Sequence, residues 1–179
     1  PINATWLSLY VFLNTAIEFL YADDQLIYRD KISEQLSGYT LTANSPPINS
    51  VQYISTLILG NGVDSVLKYD GTSISTLGGS PPINKYFEVA YNRIFAAGNP
   101  SQPNRVYYTD TGTTETWGAT SYFDVAKEDG DIITGLKFFR DLLIITKTYS
   151  IWIADVSGST PSTDWSQYPL NKSLGCVAC

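Results

Sequence analysis

The sequence predicts an all-β fold: a β-propeller, or an arc of about four four-stranded antiparallel blades belonging to a larger propeller. Three observations predict it. The word Ser45-Pro46-Pro47-Ile48-Asn49 recurs unchanged as Ser80-Pro81-Pro82-Ile83-Asn84, and its last three letters are also Pro1-Ile2-Asn3. A Pro-Pro pair stiffens the backbone and stops a helix, so each copy reads as a joint between repeated β-units. Ile2, Ile48, Ile83 and Ile132 stand 46, 35 and 49 residues apart, close to the 40–50 residues of a four-stranded blade. Finally, each joint is followed by short aromatic and β-branched runs with turn residues between them. An ordinary sandwich or a pair of meanders shares the last feature but not the first two.

Four units follow, at about residues 1–45, 46–80, 81–128 and 129–179, together one domain. Their first strands are Trp6 to Phe12, Val51 to Ser55, Lys85 to Ala90 and Ile132 to Phe139. The second strands are more apolar: Glu18 to Tyr21, Thr56 to Leu59, Arg93 to Ala96 and Leu142 to Ile145. Continuous apolar runs such as Leu57-Ile58-Leu59 and Leu142-Leu143-Ile144-Ile145 suit strands covered on both faces by neighbouring blades. The third strands end in Asp: Leu26 to Asp30, Val66 to Asp70, Val106 to Asp110 and Ile151 to Asp155. A short fourth strand closes each unit at Tyr39 to Thr42, Ile74 to Leu77, Ser121 to Val125 and Ser166 to Leu170.

Between strands, Asn61-Gly62 is a hairpin signal, because a type I′ turn needs positive φ at both residues. Asp70-Gly71 and Asp129-Gly130 are further turns. Asp30 to Gly38 is the one helix candidate, capped by Asp30 and ended by Gly38 over about two turns. Asn99-Pro100-Ser101-Gln102-Pro103-Asn104 and Val156 to Asp164 are polar, exposed loops of the kind that carry partner contacts. Asn99, Ser101 and Gln102 are therefore candidate contact residues, as are Trp117 and Trp165 beside polar loops. The structural alternative for both tryptophans is packing between strands.

Composition excludes several functions. The net charge is −6 and the pI about 4.5, with no Lys/Arg cluster, which opposes static nucleic-acid binding. No apolar run reaches the length of a membrane helix, and no secretory signal is visible at the start. Charged residues are only 16%, so much of the surface must be Ser, Thr, Asn, Gln and Tyr. His is absent, which removes Ser-His-Asp chemistry and most metal sites. Cys176 and Cys179 form a Cys-x-x-Cys pair without a second pair to complete a zinc site. Carboxylates at Asp23-Asp24, Glu128-Asp129-Asp131 and Asp155 read as turn formers and lack the spacing of a Ca²⁺ loop. No catalytic, metal or cofactor residue is assigned, and no enzymatic activity is expected. The missing Met, the start inside the repeat word and the ragged finish suggest a piece of a longer or processed protein.

Asp110-Thr111-Gly112-Thr113-Thr114-Glu115-Thr116-Trp117 resembles the Asp box of sialidase-type propellers, with Trp117 two positions late and Tyr108 in place of the leading Ser. The resemblance implies a structural role: the Asp caps a turn and the Trp packs between strands. A sialidase would need three Arg around a carboxylate, and Arg29, Arg93, Arg105 and Arg140 lie in no such motif.

A longer string carries a second resemblance. It runs through Leu67-Lys68-Tyr69-Asp70-Gly71-Thr72-Ser73, Tyr91-Asn92-Arg93-Ile94-Phe95-Ala96-Ala97-Gly98, Asn104-Arg105-Val106-Tyr107-Tyr108-Thr109-Asp110 and Trp117. It continues through Asp129 to Leu136, Leu142 to Lys147, Ser150-Ile151-Trp152 and Gly175-Cys176-Val177-Ala178. Over about residues 48–178 this order resembles the β-propeller-bearing tail hub or nozzle proteins of short-tailed bacteriophages, which stabilise packaged DNA. The resemblance implies a virion component forming a ring, usually of six copies, below the portal and adaptor. Its partners would be copies of itself, the adaptor or portal, and the tail needle or fibres. It would extend the tail channel, retain the DNA and let it pass on ejection without specific binding. No residue-level site carries over. A carbohydrate- or receptor-binding propeller on a virion or cell surface is the alternative, and a propeller glycoside hydrolase stands behind both.

Overall fold

The computed structural model describes residues 6–13, 16–23, 25–29, 34–159 and 164–177. It is all-β, a propeller-like arc of four antiparallel sheets, each of four strands in sequence order. The first sheet holds β1 (Trp6–Leu13), β2 (Ala16–Asp23), β3 (Leu26–Arg29) and β4 (Glu34–Gln35). The second holds β5 (Asn49–Tyr53), β6 (Thr56–Gly60), β7 (Leu67–Tyr69) and β8 (Ile74–Thr76). The third holds β9 (Tyr86–Ala90), β10 (Arg93–Ala97), β11 (Arg105–Tyr108) and β12 (Tyr122–Asp124). The fourth holds β13 (Ile133–Phe139), β14 (Leu142–Lys147), β15 (Ile151–Asp155) and β16 (Ser166–Asn171).

Three apolar layers join the four blades, and the second strand of each blade explains how. Along a strand, side chains alternate between faces. Leu57 and Leu59 of β6 pack toward the first blade with Leu20, Ala22, Ile27 and Leu36. Ile58 packs the other way, toward Phe87, Ile94 and Ala96 of the third blade. Phe95 and Ala97 of β10 in turn meet Leu143, Ile145 and Ala154 of the fourth. With both faces covered, β6 and β10 are buried beyond their first residue.

β14 departs from the expectation of two covered faces. Leu143, Ile145 and Lys147 are buried, while Leu142, Ile144 and Thr146 are half-buried. The outward face has no neighbouring sheet among the described residues. By distance from the preceding hairpin, Ile144 occupies the position of Ile58 and Phe95, both fully buried.

Sequence and structure part at four other places. Of the expected helix from Asp30 to Gly38, residues 30–33 lie outside the described residues. Glu34–Gln35 is a strand paired with β3, and the Leu36 N–H donates to Ile27 O at 2.8 Å. Pairing and burial of Leu36 outweigh a helix of two turns, which is marginal alone. This strand also displaces the fourth strand expected at Tyr39 to Thr42. That segment instead crosses the sheet end: the Leu41 N–H donates to Gln25 O, and Thr42 donates through N–H and Oγ1 to the Asp64 carboxylate.

Asn61-Gly62 is not a two-residue hairpin. Only Gly62 has positive φ, +80°, and the connection from β6 to β7 spans six residues. Asn61, buried, accepts the Val63 and Asp64 N–H groups on Oδ1, so its side chain builds the turn. The tight turns with positive φ at both residues are Tyr91-Asn92 (46° and 56°) and Arg140-Asp141 (47° and 65°). There neighbouring blades latch together: Tyr53 Oη donates to Asn92 O at 2.9 Å, and Tyr91 Oη donates to Asp141 O at 3.2 Å.

Both copies of Ser-Pro-Pro-Ile-Asn lead from one blade into the next, the first entering β5 at Asn49 and the second ending before β9. They are not in the same register. Counted back from the residue before the hairpin, Ile48 is five residues from Tyr53, whereas Ile83 is seven from Ala90. Ile48 is accordingly buried and Ile83 exposed, as is Ile132, seven residues before Phe139.

Candidate functional site

Strand alternation sets two ends to the arc. One carries the hairpins and the turns after the third strands; the other carries the connections after the second strands and the joints between blades. Asn99, Ser101 and Gln102 lie at the joint end. Asn99 is buried; its Nδ2 donates to Ile83 O at 2.8 Å, and its Oδ1 accepts the Ser101 and Gln102 N–H groups. Its side chain is therefore committed to the loop. Ser101 is exposed, and with Gln102, Val63 and Tyr107 it borders an open groove.

Trp117 and Trp165 lie at the opposite end, in different inter-blade layers. Trp117 is half-buried against the layer joining the second and third blades, and its Nε1–H donates to Thr114 O at 3.1 Å. The surrounding loop is braced by Glu115, which accepts from Lys68 Nζ at 2.6 Å and from the Gly78 N–H. These contacts hold the Glu115 carboxyl below its ordinary pKa, with Lys68 the largest cause. The five candidate residues thus do not converge on one site.

Of the two tryptophans, Trp165 borders a cleft. Its Nε1–H donates to Gly158 O at 2.7 Å, and its ring meets Tyr108 edge-on at 4.7 Å, Phe95 at 5.5 Å and Phe123 at 6.0 Å between centroids. A cleft of about 280 Å³ opens here between the third and fourth blades, lined by Tyr108, Thr120, Tyr122, Phe123, Trp165, Ser166 and Gln167. Two cation contacts lie close to it. Arg93 donates to Thr109 O and lies 5.8 Å from the centroids of both Tyr108 and Trp165. Arg105 sits 3.6 Å over the Tyr122 ring while its Nε and one terminal nitrogen clasp Asp124 at 2.7 and 3.1 Å. That clasp holds the Asp124 carboxyl below its ordinary range. Burial raises the Tyr108 phenol.

A second polar constellation is structural. Lys147 is fully buried, and its Nζ donates to both Asp129 oxygens at 2.7 Å and to Val125 O and Ala126 O at 3.2 and 3.3 Å. It pins the joint between the third and fourth blades. Beside it, Asp131 accepts from Tyr149 N–H and Ser150 Oγ, and Ser150 Oγ accepts from Trp152 Nε1. Asp131 is partly desolvated, which opposes ionisation, yet these donors together keep its carboxyl below the ordinary range.

Sequence reasoning missed Tyr108, Tyr122, Phe123 and Gln167, which it read only as strand positions. Their convergence depends on two blades meeting, which no local pattern encodes. The uncovered face of the fourth blade is the other feature of note: Phe139, Tyr168 and Leu170 are 57%, 45% and 60% exposed. Ile144 pairs with Ile153 and through it with Tyr168, an apolar row across β14, β15 and β16 whose β13 member is Lys137; Phe139 and Leu142 pair beside it.

No family model matches the chain, and no curated protein does. Among solved structures it is similar to the computationally designed Ika8 protein, at 13% identity and a TM-score of 0.52, over 86% of this chain and 47% of that one. It is also similar to the computationally designed Ika4 protein, at 10% identity and a TM-score of 0.47, over 94% of this chain and 91% of that one. The chain thus spans about half the length of the Ika8 protein, and the likeness is one of fold.

Proposed function

We propose that this protein is a structural component of a short-tailed phage virion, a tail hub or nozzle protein that assembles as a ring of six copies. In this reading it extends the tail channel beneath the portal and adaptor, meets the needle or fibres, retains packaged DNA and lets it pass on ejection. The observation that carries the reading is the uncovered apolar face of the fourth blade. Ile144 stands where Ile58 and Phe95 are buried by the next blade. A further blade of the same propeller is the occupant that fits, because each neighbouring blade already meets such a face in the same register. The completed propeller is then the rigid unit that the ring repeats.

Two features support the same reading. The string that resembles tail hub proteins falls on blade parts: Tyr91-Asn92 is a latch hairpin, Gly98 has φ +81°, and Leu142 to Lys147 is a core strand. The acids that end the third strands, Asp70, Asp110 and Asp155, lie with Asp141 at the hairpin end. Such acids do not attract a polyanion, so in this reading DNA passes on ejection without specific binding.

Negative-stain microscopy of the purified protein and of virions labelled with an antibody against this chain tests the proposal. Rings, and label at tail tips, are expected. Monodisperse single particles together with unlabelled virions would overturn it.

A further inference from the structure

We propose that the cleft between the third and fourth blades binds a neutral sugar residue. Its aromatic wall is Tyr108, Phe123 and Trp165, with Tyr122 at the edge and its ring turned to the other face of the sheet against Tyr107 and Arg105, and its polar groups are Thr120, Ser166 and Gln167. Aromatic faces pack well against the C–H face of a pyranose, and Tyr and Trp keep a polar tip for a wet rim. The polar groups are hydroxyls and an amide, which exchange hydrogen bonds with ring hydroxyls in either direction. Gln167 is already oriented: its Nε2 donates to Asp124 O at 2.9 Å, leaving Oε1 to accept.

Charge narrows the class. None of the cleft-lining residues is ionised at neutral pH. Arg93, 5.8 Å from the Tyr108 and Trp165 rings, and Arg105 are outside the cleft lining and are already bonded, to Thr109 O and Asp124. A phosphate or carboxylate entering the cleft would lose water without meeting a cation in its lining, so a neutral ligand is favoured. Size narrows it further. At about 280 Å³ the cleft lies at the small end of ligand sites. That volume suits one sugar ring rather than the several residues of a proline-rich peptide, the other partner of aromatic grooves.

This inference is independent of the tail assembly, since it rests on a different surface. Its test is saturation-transfer NMR with the purified chain and the methyl glycosides of glucose, galactose, mannose and N-acetylglucosamine, with tryptophan fluorescence giving the affinity. Saturable binding of at least one glycoside is expected, with Kd in roughly the millimolar range of a single-ring ligand. Gln167→Ala should weaken it about three- to tenfold, the loss of one hydrogen bond, and Trp165→Leu should abolish it. Ser101→Ala, at the opposite end, should leave it unchanged. Gln167 is exposed, so its variant reports binding even if Trp165→Leu does not fold. Absence of saturable binding by all four glycosides, unchanged binding in Gln167→Ala, or binding of a proline-rich peptide in their place would overturn the inference.

Discussion

Lys147→Met should lower stability by about 3 kcal/mol, and the figure follows from four contacts. The ammonium group is fully buried and donates to two carboxylate oxygens at 2.7 Å and two backbone carbonyls beyond 3 Å. Removing one partner of a buried ion pair costs about 3–5 kcal/mol, because the other charge is left uncompensated. Here Asp129 retains 33% side-chain exposure, so it rehydrates and its share of the penalty shrinks. Val125 O is not so placed, since its residue is fully buried, and an unpaired buried carbonyl costs about 1–3 kcal/mol. Met nearly matches the Lys stem in volume, so little cavity cost is added. For a chain of this size about 3 kcal/mol corresponds to a fall in melting temperature of roughly 6–12 °C. Thermal unfolding followed by circular dichroism measures it, with Asp129→Asn and the double variant completing a cycle. A coupling of about 1–2 kcal/mol is expected for groups in direct contact. A Lys147→Met protein within about 0.5 kcal/mol of wild type, or strictly additive single variants, would refute the assignment of Lys147 as the pin of this joint.

Three other predictions test the architecture. Ile58→Glu should cost more than about 3 kcal/mol, by burying an unpaired charge between two blades. The equivalent Ile144→Glu should leave the melting temperature nearly unchanged and reduce self-association in sedimentation, and equal destabilisation by both would show the fourth face to be covered. Gly79 and Gly112 both have positive φ, +73° and +76°, but an added Cβ at Gly79 would lie 1.7 Å from Glu115 O, whereas at Gly112 nothing lies within 4 Å. Gly112→Ala should therefore cost only the backbone strain, about 1–2 kcal/mol, and Gly79→Ala clearly more in urea titration; equal costs would contradict the contact between the Glu115 loop and the second blade. Asp70, held low chiefly by Ser73 and Thr72 N–H donors, and Glu115, Asp124, Asp131 and Asp155 all have depressed carboxyls. Each contributes stability that is present above the unfolded value of about 4 and is lost as pH falls through the folded one. With no His in the chain, the melting temperature should stay flat from about pH 8 to pH 5 and fall below about pH 4; a decline already between pH 7 and 5.5 would count against these pairings.

What was legible in the sequence is what one blade needs from its own residues. Leu57-Ile58-Leu59 is apolar at three consecutive positions because both of its faces meet another sheet, and that coverage leaves a local trace. Leu142-Leu143-Ile144-Ile145 leaves the same trace although only Leu143 and Ile145 are buried. The pattern records a face suited to a neighbour, not the neighbour's presence, and for that reason the fourth blade points to assembly. Tyr91-Asn92 and Arg140-Asp141 were illegible as turns for a related reason. Their positive φ values are imposed by the pairing of the flanking strands, Ala90 with Arg93 and Phe139 with Leu142, at residues without the freedom of Gly. The Asp30 to Gly38 reading failed because Leu36 is drawn into a layer shared with the second blade, a contact far from it in sequence.

The same logic separates the tryptophans. Trp117 and Trp165 sit beside polar loops alike in the sequence, and each donates its indole N–H to a nearby carbonyl. They differ in what the opposing blade offers. The Trp117 loop closes over the second blade through Glu115 and Lys68, so its ring fills a seam. Trp165 stands at an interface where β12 and β16, bridged by Gln167 Nε2 donating to Asp124 O, leave a cleft between them. Function in such a fold is decided where blades part, and a residue's neighbours across that gap are set by the angle between sheets. Arg105, clasping Asp124 and covering the Tyr122 ring on the other face of the third blade, ties β11 to β12; that pairing was legible in the sequence as third and fourth strands of one blade, whereas the meeting of Tyr108 and Phe123 with Trp165 of the next blade was not.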